Sequence, residues 1–174
     1  MVAGMPLSLH ELAAASAENA AAKGFDRPTW ENFVAKVAFA IGEVNEARDS
    51  VISEDDHAAL GHELADVAIR VLAILHEVWR DTWVDRVCNR RRPEPRAYAA
   101  IEVLLWPVVS CLCDAIERWR RDDRIDACMY LELALLNLWR VADRVGIDLD
   151  VAIAEKMAIN REREPLHGKV RALG

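Results

Sequence analysis

A chain of 174 residues is long enough for one ordinary domain with its own core, and at 53% hydrophobic and 29% charged residues it is not a disordered chain. Seven Gly and six Pro, set against abundant Ala, Leu, Glu and Arg, favour helix over sheet. The net charge of −7 argues against a nucleic acid polymer as partner, because a phosphate backbone calls for a basic face; a small phosphorylated ligand stays open, since metal ions bridge acids to phosphates.

Punctuation along the chain predicts helices throughout. Ser8-Leu-His-Glu11 fits a capping box, which opens a first helix that stops at Gly24. The turn Phe25-Asp-Arg-Pro28 leads into a second helix running to about Asp49. Ser53-Glu-Asp-Asp56 can cap a third, which reads on through Trp79 and as far as Asn89. Arg90-Arg-Arg-Pro-Glu-Pro95 is the clearest break in the chain. A fourth helix follows, with Pro107 as a point for a kink, and it breaks near Arg121-Asp-Asp. A fifth runs to Gly146, and Asp148 can cap a sixth that ends near Arg163. No useful strand alternation is present, so the expected fold is an all-α bundle forming a single domain over 1–174.

The first twenty residues lack a basic start, and His10 and Glu11 interrupt any apolar run, so no signal peptide is expected. The longest uncharged stretch, Val103 to Cys113, has 11 residues and contains Pro107. A membrane span needs roughly 20 residues. A soluble, cytoplasmic protein with no membrane partner is therefore expected. Cys88, Cys111, Cys113 and Cys128 lie mostly among apolar residues, which favours buried free thiols over a disulfide or zinc site.

Two acidic pairs carry the chemistry. Residues three apart on a helix share a face, so Glu43 points with Glu46, and Glu63 with Asp66. Each pair borders an apolar stripe: Phe33, Val37, Ala40, Val44 and Ala47 on the second helix, and Leu60, Leu64, Val67, Val71 and Leu75 on the third. A short connection makes the two helices antiparallel neighbours, which turns the four carboxylates toward one another near the end joined by residues 50–53. Four carboxylates in one place repel, and a cation relieves them; oxygen-only ligands select hard ions, Mg²⁺ first and Mn²⁺ second. One such pair alone is commonly a solvated helix face. Lys36 and Arg70 border the cluster and either bind phosphate or pair with the acids, while His57 and His62 read as helix-surface residues rather than ligands.

Glu43-Val-Asn-Glu46, followed after 16 residues by Glu63-Leu-Ala-Asp66, resembles the E-x-x-E…E-x-x-D motif of the all-α nucleoside triphosphate pyrophosphohydrolases, the superfamily of MazG-like proteins, dimeric-type dUTPases and phosphoribosyl-ATP pyrophosphohydrolases. Asn19-Ala-Ala-Ala-Lys23-Gly24-Phe25 and Glu155-Lys156-Met157-Ala-Ile-Asn160-Arg161 are similar to further MazG-like blocks. The likeness covers roughly residues 8–76 and 138–169. It departs from compact MazG-like chains in about sixty extra residues before the turn Gly146-Ile-Asp-Leu149. Those residues, about 80–137, read as an inserted or degenerate second hairpin. Asp114 and Glu117 echo Glu43 and Glu46, and Glu132 with Leu135 echoes Glu63 with Asp66.

The resemblance implies a Mg²⁺-dependent hydrolase that converts a nucleoside triphosphate to its monophosphate and pyrophosphate, for cleansing or turnover of the nucleotide pool. It implies metal on Glu43, Glu46, Glu63 and Asp66, with Glu46 the choice for the base that takes the proton of the attacking water. It implies nucleotide contacts from Asn19, Lys23 and Lys36, and outer-phosphate contacts from Lys156, Asn160, Arg161, Arg163 and Lys169. The C-terminal basic residues also suit the negative end of a helix dipole. Compact members build their bundle by dimerising, so a homodimer is implied; a second hairpin in cis is the other way to supply a partner. The alternative reading is a non-catalytic MazG-fold module that binds nucleotide or a partner protein.

Overall fold

The computed structural model of the chain describes residues 8–54, 57–79 and 100–163, and among them are six helices and no strand. They are α1 (Leu9–Ala22), α2 (Phe33–Glu54), α3 (His57–Val78), α4 (Ile101–Arg120), α5 (Arg124–Val145) and α6 (Leu149–Glu162). The stretch from Arg80 to Asn89 expected to extend the third helix, the break at 90–95, Cys88, His167 and Lys169 lie outside the described residues.

Local chemistry sets the helix ends. The Ser8 hydroxyl accepts from the Glu11 amide, and the Glu11 carboxylate accepts in return from the Ser8 amide at 2.7 Å, so two otherwise orphaned donors are satisfied. Before α2 a similar exchange links Thr29 and Asn32, with the Thr29 amide 2.7 Å from Asn32 Oδ1, and this delays the helix to Phe33. At its other end α2 runs to Glu54, five residues past the expected stop. The backbone of Ser53 is helical and continues α2, and Asp55 and Asp56 of the expected cap lie outside the described residues. Pro107 lies inside α4, on a face where Val103 and Trp106 are exposed, so the carbonyl it cannot serve sits toward water. Asp123 and Asp148 cap α5 and α6, and Gly146 ends α5 with φ 77°, a left-handed conformation suited to a residue without Cβ.

Both apolar stripes are buried. Phe33, Val37, Ala40 and Ala47 are fully inside, and so are Leu64, Val67, Val71 and Leu75. Each fully buried large aliphatic side chain contributes about 1.5–3 kcal/mol. α3 is the central helix, in contact with α1, α2, α5 and α6. The α4–α5 hairpin packs on the α2–α3 hairpin, α4 against α2 and α5 against α3. Trp119, near the end of α4, stacks with Phe33 at the start of α2 and donates from Nε1 to the Trp30 carbonyl at 2.9 Å, so α2 and α4 run in opposite directions.

On the other side of α3, α1 and α6 are tied together by the backbone. Asn19 Nδ2 donates to the Met157 carbonyl at 3.1 Å, and Lys23 Nζ donates to the carbonyls of Arg161 and Arg163. Trp139 Nε1 holds Asp150 at 3.1 Å and so links α5 to the first turn of α6. No described helix is long and apolar enough to cross a membrane.

Candidate metal centre

Glu43 from α2 and Glu63 and Asp66 from α3 converge. One oxygen from each lies within 4.8 Å of the others, the one such group of metal-capable side chains among the described residues. The i, i+3 spacing on α3 sets its two acids on one face, and the packing of α2 on α3 brings Glu43 to them. The acids sit near the middle of both helices rather than at the end where the helices join, and α2 continues to Glu54, five residues past its expected end.

Glu46 lies one turn further along α2. It is exposed and outside the converging three, yet its negative charge acts on both Glu43 and Glu63. No hydrogen bond or ion pair with a described residue engages it.

Two cations brace two of the three acids, Glu43 and Asp66. The Arg70 guanidinium reaches Glu43 Oε1 through Nη2 and, at 2.6 Å, through Nε. Lys156 is buried on α6, and its ammonium lies 2.8 Å from Asp66 Oδ2. Each cation holds one oxygen of its carboxylate, which leaves the second oxygen of Glu43 and of Asp66 able to serve another ligand. Arg70 also lies over the exposed ring of Phe39, 5.7 Å from its centroid.

The electrostatics remain strained despite these pairs. Burial pushes the Glu43 carboxyl above the ordinary carboxylate range; Arg70 opposes this, while the charges of Asp66 and Glu46 add to it. Burial likewise raises Glu63, against the pull of Lys156 and with the push of Asp66 and Glu46. A partly desolvated cluster of carboxylates with no nitrogen or sulfur ligand has the donor chemistry of a hard divalent cation.

The other residues singled out by sequence fall elsewhere. Asn19, Lys23 and Lys36 all point at backbone carbonyls; Lys36 Nζ donates to Asp26 at 2.6 Å. Asn160 is half-buried, and Arg161 and Arg163 are exposed at the end of α6. His62 lies 3.8 Å from Glu155 and outside the converging acids.

The second hairpin gathers no comparable group among the described residues. Asp114 is exposed, Glu117 pairs with Arg121 at 2.9 Å, Glu132 is buried in α5, and Leu135 is fully in the core. Cys128 is buried, with its thiol pushed up to about 12 by burial and then by Glu132. Cys111 is half-buried and accepts from Asn137, whereas Cys113 is exposed, contrary to the expectation of burial.

The brace of Lys156 on Asp66 was not visible in the sequence, because the two lie on helices far apart in the chain. A buried lysine in a helix with an apolar face was the one signal available. Comparisons of the chain with protein-family models, with curated proteins and with solved structures found no match.

Proposed function

We propose that the chain is a Mg²⁺-dependent nucleoside triphosphate pyrophosphohydrolase of the MazG-like kind, releasing a nucleoside monophosphate and pyrophosphate. The observation that carries this reading is the convergence of Glu43, Glu63 and Asp66, at the spacing of the E-x-x-E…E-x-x-D motif, into one partly buried oxygen site. Glu43, Glu63 and Asp66 would hold the metal, with Glu46 joining from the exposed rim. The metal would neutralise phosphate charge and polarise the phosphorus centre.

The protein's own groups divide the remaining tasks. Arg70 and Lys156 keep Glu43 and Asp66 oriented by holding one oxygen of each. Glu46, exposed and unengaged by any described residue, suits the role of base, taking a proton from the attacking water. The α4–α5 hairpin, with its acidic pattern ending in the buried Leu135, fits a degenerate second copy that supports the working hairpin in cis.

The test is a pyrophosphate-release screen over canonical, deoxy and modified nucleoside triphosphates with Mg²⁺ or Mn²⁺. At least one should be turned over, and Glu46→Gln should reduce release by about 100-fold or more with the helical circular dichroism unchanged. One observation favours the non-catalytic alternative: Arg70 and Lys156 already compensate two of the three acids. Binding of metal and nucleotide with no turnover across the panel would establish that alternative instead.

A further inference from the structure

Phe39 is a large aromatic side chain left 54% exposed in the middle of a helix whose other aromatic, Phe33, is fully buried. It sits one turn before Glu43 on α2, about 6 Å along the axis at 1.5 Å per residue. Arg70 joins the two: one guanidinium bonds the Glu43 carboxylate and lies over the Phe39 ring. The ring is therefore braced from one side by a cation that is itself anchored to the acidic site. More than half of the side chain stays open to solvent, which leaves ring surface for a ligand.

A flat, apolar, cation-backed surface at this distance from a phosphate-handling site matches one part of a nucleotide. The sugar separates base from phosphate by a comparable reach. The guanidinium withdraws electron density from the ring, which favours an electron-rich heteroaromatic plane on the free face. Resting on the pyrophosphohydrolase reading, we propose that Phe39, held by Arg70, is the platform on which the nucleobase of the substrate stacks. Recognition there uses the π-face common to every base and reads no hydrogen-bonding edge.

The experiment titrates the full chain, with Mg²⁺ present, using ATP, GTP, CTP and UTP in parallel with inorganic tripolyphosphate, and repeats the series for Phe39→Ala and Phe39→Trp. Base stacking on an aromatic side chain contributes about 1–3 kcal/mol, so Phe39→Ala should weaken the nucleotides by about tenfold or more and Phe39→Trp should keep or tighten their binding. Tripolyphosphate, which has no base, should bind all three proteins equally. The exposure of Phe39 makes both variants compatible with the fold, checked by circular dichroism.

Unchanged nucleotide affinity in Phe39→Ala overturns the proposal, and so does an equal loss for tripolyphosphate. Wild-type protein that binds nucleotides no better than tripolyphosphate overturns it too, while leaving the phosphate chemistry standing. Wild-type protein that binds neither removes the pyrophosphohydrolase reading and the platform with it.

Discussion

Lys156 is the buried counter-charge of Asp66, and replacing it by Met separates its charge from its packing. Methionine preserves most of the stem that fills the space beside α3. What disappears is the ammonium 2.8 Å from Asp66. Stranding one partner of a buried pair costs about 3–5 kcal/mol, and an exposed pair is worth at most about 1 kcal/mol. The Lys156 side chain is 6% exposed and that of Asp66 20%, so water reaches the stranded acid only in part. The expected loss is about 3 kcal/mol, the lower end of the buried range. In urea, with a slope of about 2 kcal/mol/M, the unfolding midpoint in EDTA should fall by about 1.5 M.

Magnesium should then restore what the lysine supplied. At about 100 times its dissociation constant a ligand adds about 2.7 kcal/mol, enough to recover most of that loss. The double variant Asp66→Asn, Lys156→Met should cost less than the sum of its two single changes, because the charge left stranded is gone. Full stability of Lys156→Met in EDTA would refute the claim that the ion pair compensates the cluster. A loss that Mg²⁺ leaves untouched would refute the metal site.

Further outcomes are expected. The raised Glu43 and Glu63 carboxyls bind protons more tightly when folded than when unfolded, so their contribution favours the metal-free fold most below about pH 4.5 and is lost as pH rises through their raised values. Since the same protons compete with a cation, Mg²⁺ affinity measured calorimetrically should fall as pH drops from 7 toward 5. Gly61→Ala should raise stability by about 0.5–1 kcal/mol in thermal unfolding, since a Cβ there meets Ile147 and Ala152 at 3.6 and 3.9 Å, ordinary contact distances, and alanine is the better helix former. Asn19→Ala should cost about 1 kcal/mol, because it removes the bond from Asn19 Nδ2 to the Met157 carbonyl that ties α1 to α6, and should loosen α6 against α1, seen as faster amide exchange in α6.

Much of the bundle was legible because helical periodicity is local. The stripes on α2 and α3 could be written from spacing alone, and the same spacing set Glu63 beside Asp66. The capping residues Ser8 and Asp148 were equally readable. Helix ends were less so: Asn32 exchanges bonds with Thr29 before α2 begins, and Ser53 continues α2 although its residue type suits a cap. Least legible were the long-range pairings. The resemblance implies nucleotide contact for Lys23 and outer-phosphate contact for Lys156, but what each one meets in the folded chain depends on how α6 lies against α1 and α3, and no single helix encodes that. Arg70 stood open between phosphate and acid in the sequence, and in the folded chain it bonds Glu43.

The bracing of Asp66 by Lys156 also has a consequence in time. Roughly ninety residues separate the two, so a ribosome working at about 5–20 residues per second makes the acid some 5–20 s before its counter-charge. During that interval α2 and α3 can pair with Arg70 on Glu43, but Asp66 and Glu63 meet without the lysine, and proton or cation uptake is one way to quiet them. Free Mg²⁺ around the nascent chain would then act as a stand-in for a helix not yet synthesised, and the yield of folded protein should depend on it during synthesis more than after release.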